Sequence, residues 1–144
     1  MTNSLLAEHA AMIEAADQLV AAVKRTPRPT MDEITRLRVR LGIAIRQHAV
    51  TEEALVFGPF TREGGLNRWP ELAPVLQLMT DEKARYSELI ARWTPQAIAQ
   101  DWDAYALSCE ERVAAVKRAI RAEEAMLYPI VLGLPSTALP NRAA

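Results

Sequence analysis

The chain is poor in cysteine, histidine, glycine and aromatic residues, and each shortage excludes something. Among 144 residues there are one cysteine, two histidines and five glycines. A lone thiol, Cys109, can form no intrachain disulfide, which fits a reducing, cytoplasmic setting. No G-x-G-x-x-G or G-x-x-x-x-G-K-[ST] run occurs, so the phosphate-cradling loops of nucleotide enzymes are missing. No E-x-x-H occurs either, which removes the ferritin-like di-iron pattern. There is no uncharged apolar run of about 18 residues, the minimum for a membrane span. The opening stretch "MTNSLLAEHAAMIEAADQ" carries acids and a histidine where a secretory leader needs a basic start and an apolar centre. Basic and acidic residues are interspersed and sum to a net charge of -1, so no stripe invites nucleic acid or an anionic membrane surface.

What is present is half hydrophobic and arranged at helical spacing. The first pattern runs from about Ser4, a candidate N-cap, to Lys24, with Leu5, His9, Met12, Ala16, Leu19 and Val23 on one face. "RTPRPT" breaks it, because each proline removes a donor and fixes φ. The second pattern starts at Thr30, where Thr30 and Glu33 have capping-box spacing. Its stripe is Ile34, Leu37, Leu41, Ile45, His48, Glu52 and Leu55, and "FGPFTREGGLNRWP" then reads as the longest loop. The third spans about Leu72 to Trp93. The fourth starts after Thr94, with Pro95 in the first turn and a possible interruption near Gln100, and runs to about Leu132 before Gly133 and Pro135. Trp102, Tyr105, Cys109, Val113, Val116, Ile120, Glu124 and Leu127 form its stripe. Four amphipathic helices with short links predict one all-α domain over residues 1–133, an antiparallel up-down-up-down four-helix bundle. Residues 134–144 read as a flexible tail.

Ionisable residues interrupt the apolar stripes. His9 lies in the first, His48 and Glu52 one turn apart in the second, and Glu124 in the fourth. An unpaired buried carboxylate costs several kcal/mol or takes up a proton, so such groups require a metal, a cation or a hydrogen-bond network. A phrase is also repeated: "EEALVFGPF" from Glu52 and "EEAMLYPIV" from Glu123. His48 stands one turn before the first copy, and Ala119 occupies the matching place before the second.

"LLAEHAAMIEAADQL", "RQHAVTEEALVF" and "IRAEEAMLYPIV" resemble the hemerythrin-like, HHE cation-binding family, over roughly residues 4–132. The resemblance implies a four-helix bundle whose helices surround a non-haem di-iron centre. It places His9 on the first-helix histidine, His48 and Glu52 on the second-helix pair, and Glu124 on the fourth-helix carboxylate. It also exposes gaps. The fourth-helix histidine falls on Ala119, and in "TDEKARYSEL" a third-helix histidine falls on Lys83, unless a one-residue slip turns Glu82 inward instead. With two histidines the usual di-iron site cannot be assembled, so no di-iron centre and no dioxygen carriage are expected.

Two readings follow. In one, Lys83 supplies the missing positive charge, and the bundle is a non-enzymatic interaction, regulatory or ligand-binding module for a protein partner or small ligand. In the other, His9, His48, Glu52 and Glu124 hold a single weakly bound iron, zinc or manganese ion as a sensor or store.

Overall fold

The computed structural model describes residues 2–133. The expected tail, 134–144, lies outside the described residues. Those residues are almost wholly helical, and no strand occurs among them. Four helices of 20 residues or more carry the architecture: α1 (Thr2–Val23), α2 (Met31–Glu52), α5 (Ala73–Arg92) and α7 (Trp102–Ala122). Shorter pieces join them: α3 (Gly58–Arg62), α4 (Gly65–Arg68), α6 (Pro95–Gln100) and α8 (Tyr128–Leu132). No helix of the described residues is long and apolar enough to cross a membrane.

Local chemistry explains most boundaries. The Thr30 hydroxyl accepts from the Glu33 amide (3.2 Å) and starts α2. The reciprocal half of the expected capping box is not made, because both Glu33 oxygens instead engage Arg25 (3.0 and 2.9 Å). Thr94 caps α6 through the Ala97 amide (3.2 Å), and Asp101 caps α7 through the Ala104 amide (3.3 Å). The interruption near Gln100 is therefore a real restart with its own cap. Two expectations are corrected. Helix α1 begins at Thr2, ahead of Ser4. The stretch expected to be a long loop is instead folded into α3, α4 and a 3₁₀ turn, Pro70–Leu72, which bury Phe60 and Leu72. Only its glycine doublet, with φ of 114° at Gly64 and 55° at Gly65, uses backbone that other residues avoid.

The repeated phrase has a shared backbone form. Glu53–Phe57 and Glu123–Leu127 are both π-helical. The Gly58 amide bonds to the Glu53 carbonyl, and the Tyr128 amide to the Glu123 carbonyl, each five residues back. A π turn adds a residue to the helical repeat and moves the inward face by one position. In the first copy, Val56 rather than Leu55 is fully buried; in the second, Leu127 and Tyr128 both are.

Helix α1 packs on α2 and α7, and α5 packs on α7. Approach between α2 and α5 is slight. Two apolar clusters result. One gathers Leu19, Ile34, Trp93, Ile98, Tyr105 and Cys109; the other gathers Leu5, Val56, Leu72, Val75, Leu127 and Tyr128. The side chains of His9, His48, Glu52 and Glu123 are the buried polar and charged ones among the described residues, and they lie in sequence between residues of the two clusters.

A buried bond helps fix the junction of α1 with α7: Trp102 Nε1 donates to the Val23 carbonyl at the end of α1 (2.9 Å). Replacing Trp102 with Phe keeps the ring packing and removes the donor. The expected loss is about 1–2 kcal/mol in chemical denaturation, and an unchanged midpoint would show that the carbonyl finds water instead.

Candidate functional site: a buried cluster of imidazoles and carboxylates

Helix α1 contributes His9, α2 contributes His48 and Glu52, and the second π turn opens with Glu123. One ligand atom from each lies within 4.8 Å of the other three. His9 Nε2 and His48 Nε2 are 3.0 Å apart, and His48 Nε2 is 2.8 Å from Glu52 Oε2. Glu123 Oε2 stands 3.7 Å from His9 Nε2. The Tyr128 hydroxyl sits among them, 2.7 Å from Glu52 Oε2, 3.1 Å from Glu123 Oε2 and 3.2 Å from His9 Nε2. Its ring lies nearly parallel to the His9 ring, at 12° and 5.5 Å between centroids.

Three of the four residues singled out from sequence, His9, His48 and Glu52, therefore meet at one point. The fourth is displaced. Glu123, not Glu124, enters the cluster; the Glu124 side chain is 35% exposed and approaches the far side of His9, with Oε2 3.4 Å from Nδ1. That approach has ion-pair distance but not the alignment of a hydrogen bond, since His9 Nδ1 has no hydrogen-bond partner. Lys83 does not fill the centre either. It is exposed, and its ammonium lies over the Phe57 ring, 5.2 Å from the centroid. Glu82 is the more buried neighbour, paired with Arg112 at 2.9 Å. Arg118 and Arg121 face solvent.

Two contributors escaped the sequence reading. Tyr128 was one, and the repeat held the signal for it: with Glu52 set against Glu123, Phe57 falls on Tyr128, so the second copy adds a hydroxyl at an equivalent place. The same alignment selects Glu123. Glu8 was the other. Its Oε1 lies 3.2 Å from His48 Nδ1, and its Oε2 accepts from the Thr51 hydroxyl (2.8 Å). Both imidazoles thus turn Nδ1 toward a carboxylate and Nε2 toward the shared centre. Outer carboxylates of this kind orient metal-binding histidines and fix their tautomers.

Protons alone satisfy the cluster only in part. Tyr128 has one hydroxyl proton for three nearby acceptors. Burial first, then the hydrogen bond with Glu52, pushes Glu123 up to about 10, so its carboxyl is neutral near pH 7. Burial alone would raise Glu52 too, but hydrogen bonds from His48, Glu123 and Tyr128 outweigh it and hold Glu52 at about 2. Burial, followed by the charge of His48, lowers His9 to about 4. For His48 the burial penalty is outweighed by Glu52 and Glu8, which raise it. The proton-filled cluster therefore pairs an ionised Glu52 with neutral His9 and Glu123, and the partners of His48 favour its protonated form.

Compared with models of protein families, with curated proteins and with solved structures, the chain matches none. The chemistry of the site must be argued from its own atoms.

The shifts have signs that can be measured. The folded value of Glu123 lies above its ordinary 4.5, so its contribution is complete below pH 4.5 and is lost as pH rises toward 10. His9 and Glu52 behave oppositely. Their contributions are complete above 6.5 and 4.5 and are lost as pH falls toward about 4 and about 2. Glu123→Gln, a permanent mimic of the neutral acid, should therefore stabilise metal-free protein progressively from pH 5 to pH 9. The gain at pH 9 should reach at least ~2 kcal/mol by denaturant titration. A pH-independent difference would contradict the assignment of the proton to Glu123.

Proposed function

We propose that the chain is a hemerythrin-like bundle, its long helices in up-down-up-down order, in which one divalent metal ion replaces the family's di-iron centre. On this reading it works as a metal-dependent sensor or regulatory module and not as a dioxygen carrier. The observation that carries the proposal is the orientation of the two imidazoles. Each directs Nε2 to the centre and Nδ1 to a carboxylate, while Glu52 and Glu123 offer Oε2 atoms to the same point. Two nitrogens and two carboxylate oxygens suit zinc, ferrous iron or manganese. A tetrahedral ion with bonds near 2.0 Å needs its ligands about 3.3 Å apart. The present separations of 2.8, 3.0 and 3.7 Å bracket that spacing, so small side-chain movements suffice.

The donor count supports one ion over two. Ala119, at the position where a fourth-helix histidine belongs, has no donor, and Lys83 brings a positive charge to the neighbouring space. A bound ion would supply the positive charge that keeps Glu52 and Glu123 ionised together. Tyr128 would then be free to donate to a carboxylate oxygen, and Glu8 and Glu124 would hold the rings in orientation. The small-ligand reading of the bundle is favoured by a separate observation, a cavity beside the cluster, taken up below.

The metal reading predicts a proton count. Near pH 7 the ion must displace the proton held by Glu123, so calorimetry in buffers of different ionisation enthalpy should show release of at least about one proton per ion. Protein purified without chelator should hold one equivalent of metal. His48→Ala should abolish binding, whereas Glu124→Gln should weaken it only about tenfold, as expected for an outer partner. Two irons per chain surviving dialysis, or a Glu124 variant as damaging as a Glu123 one, would overturn the reading.

A further inference from the structure

A cavity of about 320 Å³ opens in the seam between α2 and α5. Its interior is mainly apolar, formed by Met12, Ile45, Met79, Val116 and Ile120, and its inner wall includes His48, Glu52 and Glu123. Two cations line it as well, Arg46 from α2 and Lys83 from α5. Both are exposed, and neither forms an ion pair with a carboxylate among the described residues. The carboxylates of the inner wall are engaged within the cluster, Glu52 with His48 and Tyr128 and Glu123 with Tyr128.

We infer that this cavity binds a small apolar monocarboxylate, its chain inside and its carboxylate at the mouth with Arg46 and Lys83. Two unmatched cations at the mouth of an apolar cavity select an anion with an apolar body over a neutral apolar molecule or a cation. The size is set by volume. A protein cavity of about 150 Å³ accommodates benzene, so twice that volume accommodates about ten to twelve non-hydrogen atoms, the size of octanoate. The seam continues into a second groove sharing Ile45, Arg46, Tyr86 and Ser87 with the first, so acids a few carbons longer have room to extend along it. This inference concerns the neighbourhood of the proposed metal site but does not depend on an ion, because the apolar walls come from α1, α2, α5 and α7 and the two cations from α2 and α5.

The test is calorimetric titration of the full chain with octanoate and with 1-octanol, before and after chelator treatment. Octanoate should bind in both states, and at least tenfold more tightly than octanol. The double variant Arg46→Met/Lys83→Met, changed only at exposed positions, should lose that preference while still binding octanol. Ala49→Phe, which adds bulk at an exposed cavity residue, should abolish binding of both without changing the thermal midpoint appreciably. Equal affinity for acid and alcohol, no binding of either, or an unchanged preference in the double variant would overturn the inference. Octanoate binding only to metal-loaded protein would also overturn it and leave the metal reading standing. Octanoate binding to a chain that takes up no metal would sink the metal reading alone.

Discussion

Everything near the centre of this molecule depends on Glu52 Oε2. It receives His48 Nε2 at 2.8 Å and the Tyr128 hydroxyl at 2.7 Å, and the Glu123 carboxyl is a third partner. A carboxylate this buried would normally take up a proton. Here the donors around it keep it ionised and force the proton onto Glu123 instead. That division sets the charge of the layer, holds α2 to the end of α7, and joins the two apolar clusters through groups that would be costly to leave unpaired. Such a network need not stabilise the fold more than apolar packing would. Its persistence in the middle of the core is better explained by a task that requires convergent donors.

The second π turn adds Tyr128 to the convergence. Glu123 keeps α-helical spacing, its amide bonded to the Ala119 carbonyl four residues back, and the π bond from the Tyr128 amide to the Glu123 carbonyl sets the place of Tyr128. The extra residue of each turn comes after the first glutamate of each repeated phrase, which α-helical spacing already places inward. In the second copy it brings a phenol hydroxyl to within hydrogen-bonding distance of three other members. The first copy has Phe57 at that place, and its ring lies under the Lys83 ammonium instead. The repeat is thus a pair of similar backbone devices with different side-chain duties.

The sequence was most legible where one local rule decided the outcome. Thr30, Thr94 and the restart after Gln100 follow from capping chemistry, and the helical patterns follow from apolar spacing. His9, His48 and Glu52 were recognisable because they interrupt those stripes upstream of any π turn. Legibility ended where two neighbours fit the spacing equally. Leu55 was expected inside in place of Val56, and Glu124 in place of Glu123, because each pair lies three and four residues after the same stripe residue, Glu52 in one case and Ile120 in the other. The segment between Phe57 and Leu72 was misread for another reason. Its prolines and glycines signal breaks, but breaks between very short helices look the same in sequence as one loop. Lys83 was placed at the centre by the family resemblance, with Glu82 as the alternative one residue away, and the alignment could not anticipate that Phe57 offers the Lys83 ammonium an aromatic face near water.

The central claim is that His9, His48, Glu52 and Glu123 converge because they hold one ion. Its most direct test is a crystal structure of protein loaded with zinc or manganese, with diffraction recorded on both sides of the metal's absorption edge. One anomalous peak per chain is predicted, within about 2.0–2.3 Å of His9 Nε2, His48 Nε2 and an oxygen each of Glu52 and Glu123. Two peaks bridged by the carboxylates, or a peak bound through Glu124 with Glu123 turned away, would contradict the account. So would an empty layer with Tyr128 still between the carboxylates.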